Sequence, residues 1–493
     1  MSKVSVFNHW AKGLPGYFSI DNPIVVGWGA FSWLNNLSFT LHYLVTKSLR
    51  FMRNYLPLLL LLLLCTSVRA QKSLLRSGPM LGYCEQREVL IWVQTNVAAA
   101  VRVEYTNDDG VTQTTNSVAT KKAEAFTAKL IADEVQPGQH YTYNVFINDQ
   151  QVELDYPTEF TSQKTWRWRG DPPTFTVALG SCTYINEPVY DRPGAGYGSE
   201  YEIFRSIDQK KPDIMIALGD NMYLREPDWY TRTGYQHRYS HTRSLPEMQA
   251  LLARTHHYAT WDDHDYGPNN SDRTWVHKDL AKETFDLFWG NLTSGLPASK
   301  VATGSAGITS TFRYNDTDFF LLDNRSFRTP NDQDRADNKT VLGKPQLDWL
   351  IESLIFSDSP WKMVCIGGQV LNTATRGETY VNLAPEEQKY LLRRINEEKI
   401  SGVVFLTGDR HHTELSQRKL PNGNMIYDVT ISSLTAGTGT SRDEQNDYRV
   451  DGTLAVEHNF GILTFSGPLK QRKLEVSVFD TEGKKIWDRT LHH

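Results

Sequence analysis

The sequence predicts an α/β fold preceded by an all-β segment, and three observations carry that expectation. Four short apolar runs each stop at side chains of metal-binding type. They are Phe175 to Leu179 before Ser181-Cys182, Ile214 to Leu218 before Asp220-Asn221-Met222-Tyr223, Tyr258 to Trp261 before Asp262-Asp263-His264-Asp265, and Val403 to Leu406 before Gly408-Asp409-Arg410-His411-His412. Beyond Thr174 such runs alternate with stretches of helical period, whereas from Lys72 to Glu159 that period is absent. Buried parallel strands read as continuous apolar runs, and ligands of open α/β sheets gather beyond the carboxyl ends of the strands. The four clusters therefore mark one candidate site.

Residues 52–70 read as a signal peptide. Met52-Arg53-Asn54-Tyr55 supplies charge, Leu58 to Leu64 is an unbroken leucine run, and Val68-Arg69-Ala70 ends in a small residue before a cleavage point at Gln71. The run is far shorter than the ~20 apolar residues of a spanning helix. Residues 1–51 stand upstream of this leader without a period of 2 or 3.6, as expected of a start codon assigned too early. The leader places the mature chain in the periplasm or outside the cell. The bulky Leu64 ahead of Cys65 argues against lipid attachment there.

Residues 72–162 read as an N-terminal β-sandwich domain. Val89 to Val93 and Val101 to Tyr105 have strand character, and Asn107-Asp108-Asp109-Gly110 is a turn. Val135-Gln136-Pro137-Gly138-Gln139-His140-Tyr141-Thr142-Tyr143 has the form of a fibronectin type III tyrosine corner, in which a Tyr hydroxyl bonds back across a Pro-Gly turn. Thr161 to Pro173, polar, aromatic and closed by two prolines, marks the boundary with residues 174–493.

In that second part the predicted helices are Ser199 to Gln209, Pro246 to Thr255, Trp275 to Trp289, Pro345 to Phe356 and Pro385 to Lys399, three of them with Pro at or near the first turn. Strands Phe319 to Leu322, Met363 to Ile366, Met425 to Ile431 and Gly461 to Phe465 fill the intervals, and Leu474 to Phe479 with Lys485 to Arg489 form a closing hairpin.

With 493 residues, 40% hydrophobic and 22% charged, the chain is of ordinary globular composition. A net charge of -5 with interspersed signs argues against a dedicated nucleic-acid binder, which needs a positive field to collect phosphates. Beyond the leader, Cys84, Cys182 and Cys365 are an odd set without close spacing and indicate no disulfide framework.

The clusters have distinct chemistry. Asp220 and Tyr223, three residues apart after a strand, offer hard oxygen donors to one ion. Asp409 and His411 share a face of extended chain, so a carboxylate and an imidazole converge while Arg410 points elsewhere. Trp261-Asp262-Asp263-His264-Asp265 is the densest group; close carboxylates repel unless a cation lies between them. Asn269 and Asn270 follow as neutral oxygen ligands of the kind calcium accepts.

These motifs occur in the order found in the alkaline phosphatase D family of metallophosphoesterases, which the chain resembles. The likeness extends to Leu322-Asp323-Asn324-Arg325-Ser326-Phe327-Arg328, to Gly343-Lys344-Pro345-Gln346-Leu347-Asp348-Trp349-Leu350, to Asn459-Phe460-Gly461, and to Ser77-Gly78-Pro79-Met80-Leu81-Gly82. The resemblance implies a four-layer αββα sandwich over residues 174–493. It also implies a ferric ion held by Cys182, Asp220, Tyr223 and His411, with calcium held by Asp220, Asn270 and Asp409. Asp263 stands where related enzymes use a metal-binding Asn, and His264 where they have the histidine facing the leaving group. Which of Asp262 and Asp263 ligates stays open, as does the use of other divalent metals. No twin-arginine pair precedes the leucine run, unlike many members of the family.

The expected function is then a secreted, metal-dependent alkaline phosphatase acting on phosphate monoesters, diesters or both through a multinuclear centre. Metal ions about 3.5–4 Å apart clamp the attacking and leaving oxygens of an in-line displacement. His264 would assist the leaving group and Arg325 would neutralise equatorial phosphate oxygens, an ion pair with Asp323 being Arg325's competing role. Two rival functions are a phosphodiesterase of phospholipase type on the same centre and a non-catalytic surface binding protein. Phosphate esters are the expected partners.

Overall fold

Each of the four apolar runs forms a strand, and the strands fall into two sheets. The computed structural model describes residues 74–296, 307–333, 339–439 and 444–492. The leader expected at 52–70, Cys65 and residues 1–51 lie outside the described residues. Among those described, no helix is long and apolar enough to cross a membrane.

Phe175–Gly180, Ile214–Leu218 and His256–Thr260 run parallel at the middle of a nine-stranded sheet. On one side Asn459–Ser466 pairs antiparallel with Phe175–Gly180, and the hairpin Lys473–Asp480 with Lys485–Leu491 completes that flank. In the second sheet Thr317–Leu321, Trp361–Ile366, Val403–Thr407 and Met425–Thr430 are parallel, with antiparallel edges Ser310–Tyr314 and Glu414–Lys419.

Alternation of side chains shows how the layers stack. Phe319, Leu321, Met363, Cys365, Val404 and Leu406 join Val177, Ile216 and Phe465 of the larger sheet in one core. Their neighbours Phe320, Val364, Ile366, Val403 and Phe405 belong to another core with Leu347, Leu350, Leu391 and Ile395 of helices Gly343–Phe356 and Pro385–Glu397. Successive residues of a strand face opposite sides, so the second sheet is packed against the first on one face and against helices on the other. Each such fully buried side chain contributes about 1.5–3 kcal/mol of transfer free energy.

The β-rich segment is not a separate body. Leu81 pairs with His256, so Leu75–Cys84, Val89–Thr95 and Thr127–Ala132 extend the larger sheet beyond His256–Thr260. The other strands form a third sheet, ordered Thr112–Thr114, Ala100–Asn107, His140–Ile147, with Glu159–Thr161 on His140–Ile147. The Tyr141 hydroxyl accepts the Gln136 backbone N–H at 2.7 Å. Trp92 Nε1 donates to Leu287 O at 2.8 Å and the Tyr143 hydroxyl to Ala253 O at 2.6 Å, tying this segment to the helices of the α/β part. The boundary near 162–174 is thus a change of architecture within one compact unit, Arg69–His493.

Besides the single-turn helices Asp263–Tyr266 and Tyr380–Leu383, one helix among the described residues escapes the sequence pattern. Arg232–Arg243 buries Arg238, Arg243, Tyr235 and Tyr239 in place of an aliphatic stripe, so its period is not visible as hydrophobicity. Arg238 is accommodated by ion pairs to Asp228 at 2.9 Å and Glu187 at 3.1 Å.

Candidate metal centre

The parallel strands end on a common edge, and the turns that follow them touch across the two sheets. Glycines permit the approach. A Cβ on Gly408 would lie 2.7 Å from Leu218 O, and one on Gly219, which has φ +94°, would lie 2.8 Å from Asp262 Cβ. Five of the sequence-predicted ligands sit in the left-handed region: Cys182 (φ 57°), Asp220 (50°), Asn270 (63°), Asp409 (66°) and His411 (53°). Non-glycine residues hold that conformation at a cost of about 1–3 kcal/mol each, and such outliers gather at functional sites.

Two groups of ligand atoms form there, and Asp220 belongs to both. Cys182, Asp220 and His411 bring one ligand atom each within 4.8 Å of one another, and so do Asp220, Asp263 and His264. In the first group Cys182 Sγ lies 3.8 Å from Asp220 Oδ2 and receives the Ser181 and Ser432 hydroxyls at 3.4 and 3.2 Å. His411 Nδ1 is hydrogen-bonded to Gly437 O, which leaves Nε2 facing the Tyr223 hydroxyl at 3.4 Å. Occupation of one ring nitrogen by a carbonyl sets the tautomer and orients the other for a metal. Without a cation, burial pushes the Cys182 thiol up to about 12 and, together with the Asp263 and Cys182 charges, raises the Asp220 carboxyl well above its ordinary range.

The second group separates the four consecutive titratable residues. Asp262 caps the single-turn helix Asp263–Tyr266, and its Oδ1 receives Asn324 Nδ2 at 2.8 Å and the Arg325 guanidinium. Asp265 takes the N–H groups of Asp262 at 3.0 Å and Asn221 at 3.1 Å, linking the turns after two strands. Asp263 has an Oδ1 that is buried without a hydrogen-bond partner, 3.9 Å from the Arg325 guanidinium, and Asp262 Oδ2 and His264 Nδ1 also lack one. Burial opposes ionisation of Asp263, yet the His264 and Arg325 charges and the Asn270 amide overcome it and hold the carboxyl below the usual range. The His264 ring lies 4.2 Å from that of Tyr223, centroid to centroid.

Three predicted residues are placed differently from expectation. Arg325 is fully buried and its guanidinium is taken by Asp262 and by Glu378 at 2.7 Å; Asp323 accepts only its backbone N–H. A cation out of water requires internal counter-charges, so Arg325 supports the Asp262 turn and has no free fork for a phosphate. Asn270 is exposed and reaches the site through its backbone N–H, which donates to Asp263 Oδ2 at 2.6 Å. Asp409 belongs to neither ligand group; burial and the Glu378 and Asp262 charges push its carboxyl up to about 8.

The donor set fits metal ions. Thiol, phenol, imidazole and carboxylates converge, and the buried, unpartnered Asp263 Oδ1 and His264 Nδ1 demand a partner that protein atoms do not supply. A cleft enclosing about 1010 Å³ of space open to solvent leads to Tyr223 and His264. Sequence reasoning did not single out Glu378, the counter-ion of Arg325 and Arg328; it follows no apolar run and carried no local signal.

The family model described as PhoD-like phosphatase matches residues 178–467, and one described as a domain of unknown function (DUF7800) matches 72–165. Alkaline phosphatase D of Bacillus subtilis (strain 168) is 25% identical over 342 residues, covering 60% of this chain and 55% of that protein. The chain thus spans about half the length of this curated relative. The solved structure of PhoD superposes with a TM-score of 0.68 at 17% identity, over 84% of this chain and 91% of that one, which shows a shared fold.

Proposed function

The chain belongs to the PhoD-like phosphatase family, and from that premise we propose that it is a metal-dependent phosphoric ester hydrolase whose two metal seats share Asp220. The observation that carries this reading is the pair of ligand groups meeting at Asp220 on the strand ends of two sheets. Cys182, Asp220, Tyr223 and His411 form the first seat, and thiolate, phenolate and imidazole donors suit a ferric ion. Asp220 and Asp263, with His264 beside them, form the second, whose carboxylate oxygens are of the kind calcium takes. When bound, the metals neutralise the clustered carboxylates and polarise a phosphoryl oxygen as Lewis acids.

The remaining chemistry belongs to the chain. Tyr223 and His264 form the wall that the substrate meets, and Asp262 with Asp265 hold the turn that presents His264. His264 lines the cleft beside Tyr223 and is the residue placed to protonate or stabilise the departing alkoxide. Burial lowers the pKa of the ring, with the Asp263 charge working against that effect.

Residues 72–162 are read as a fibronectin type III-like sandwich, supported by the strand order of its two sheets and the Tyr141–Gln136 bond. The leader at 52–70 supports a periplasmic or secreted location.

Purified protein is expected to hydrolyse a nitrophenyl phosphate monoester, the corresponding diester, or both at alkaline pH, and to lose turnover with a chelator. Elemental analysis should find more than one metal per chain. Turnover that survives exhaustive metal removal would overturn the reading.

A further inference from the structure

Relocating Arg325 leaves the site without the cation expected to grip phosphate, and another arginine meets that need. Arg225 lies in the same strand-end turn as Asp220 and Tyr223 and is 8% exposed. Its guanidinium stacks over the Tyr184 ring, 4.5 Å from the centroid, and Nε donates to the Tyr184 hydroxyl at 2.8 Å. That hydroxyl in turn donates to Asp191 at 2.5 Å, so the carboxylate fixes the tyrosine and makes no direct ion pair with the arginine. Asp228 accepts the backbone N–H of Arg225 at 2.9 Å, but its charge is paired with Arg238.

The contrast with the other buried arginines is informative. Arg238, Arg325, Arg328 and Arg472 each have a carboxylate within ion-pair distance. Arg243 donates to Met80 Sδ and Phe288 O and stacks on Trp289, in an apolar region. For Arg225 no ion pair exists among the described residues, its two terminal nitrogens have no hydrogen-bond partner there, and it lines the cleft shared with Tyr223 and His264. A guanidinium stays charged in proteins, and burying one without an anion is costly unless a ligand supplies it. Its fork matches the spacing of two phosphoryl oxygens.

We propose that Arg225, steered by Tyr184 and Asp191, grips the non-bridging oxygens of the substrate's phosphoryl group, a role that rests on the phosphatase reading. The contact with the Tyr184 ring and the bond to its hydroxyl restrict rotation of the fork, so the two free nitrogens meet the anion without reordering a flexible chain. Arg192, exposed at the rim of the same cleft and without an ion-pair partner among the described residues, adds positive field at the entrance.

The test measures inorganic phosphate binding to the full-length, metal-replete protein by isothermal titration calorimetry, beside ester turnover. Arg225→Met should weaken phosphate binding by about 10-fold or more with metal content unchanged, as expected for loss of a charge-assisted bidentate contact. Arg225→Lys should fall between, because it keeps the charge and loses the fork. Tyr184→Phe keeps the ring and removes the hydroxyl that holds Nε; it should weaken binding several-fold, and it decides the matter with the Lys variant if the Met variant fails to fold. Phosphate affinity equal to wild type in the folded variants overturns the proposal, as does a wild-type protein that turns over esters yet binds no phosphate. A wild-type protein that binds phosphate through Arg225 but hydrolyses no ester under any metal supply upholds the anion seat and removes the phosphatase reading instead.

Discussion

Replacing Asp262 and Asp263 one at a time should give opposite signatures, although the two residues are adjacent and chemically identical. The Asp262 side chain is 1% exposed and is the counter-charge of an Arg325 that is itself fully buried. Removing one partner of a buried pair costs about 3–5 kcal/mol, because the other charge is left uncompensated. Arg325 keeps Glu378 at 2.7 Å as a second counter-charge, so Asp262→Ala should cost about 3 kcal/mol, the low end of that range. Asp263→Ala removes a carboxylate held against Asp220 without a cation between them. In metal-free protein this relieves repulsion from Asp220 but also removes the acceptor of the Asn270 N–H and a carboxylate that the His264 and Arg325 charges hold ionised, so its cost should be about 1–2 kcal/mol, smaller than that of Asp262→Ala. Its effect should appear in metal content, with at least one equivalent lost. Urea denaturation of metal-depleted protein, followed by tryptophan fluorescence, reads the first quantity, and elemental analysis of the replete protein the second. The assignment of roles fails if Asp262→Ala leaves metal-free stability unchanged while Asp263→Ala lowers it by several kcal/mol.

Three further outcomes follow from the same structure. If a ferric ion occupies the first seat, Tyr223→Phe should abolish a visible charge-transfer absorbance, and a band of unchanged position and intensity would remove Tyr223 from the ligand set. Burial lowers His256 to about 4 and His257, where Arg243 adds to the effect, to about 3, so both rings are neutral in the fold. Their contribution is complete above the ordinary histidine pKa of about 6.5 and is lost as pH falls toward the folded values, by about 1.4 kcal/mol per pH unit per ring. His257→Gln should therefore flatten the fall in stability between pH 6.5 and 4, measured by denaturant titration; an identical slope would refute it. Tyr141→Phe removes the bond to the Gln136 N–H and should cost about 1–2 kcal/mol while leaving metal content and turnover unchanged.

Much of the fold was legible because strands buried on both faces must be apolar throughout. Ile214–Leu218 matches its apolar run residue for residue, and Val403–Thr407 and Phe175–Gly180 extend theirs by one. The helices with aliphatic stripes were also visible, whereas Arg232–Arg243 was not, since its inward face is built from tyrosines and a paired arginine. Within the candidate site, Asp220, Tyr223 and His411 stood out by position after a strand, whereas Cys182, the role of His264 and the choice between Asp262 and Asp263 rested on the family resemblance. The Asp262 and Arg325 roles were legible in neither.

By itself, then, the sequence determined which segments are strands, that their ends carry ligand chemistry, and that the ligands recur in a known family order. Those are local properties, read from neighbours along the chain. Only the tertiary structure decided that Asp263 and His264 join Asp220 in a second ligand group, that Arg325 is an internal counter-ion and that Arg225 is a buried cation without one. The reason is electrostatic: a charged group's role depends on which opposite charge lies within a few ångströms, and in a folded chain that partner is set by packing and not by spacing. Arg325 meets Asp262 from 63 residues away and Glu378 from 53.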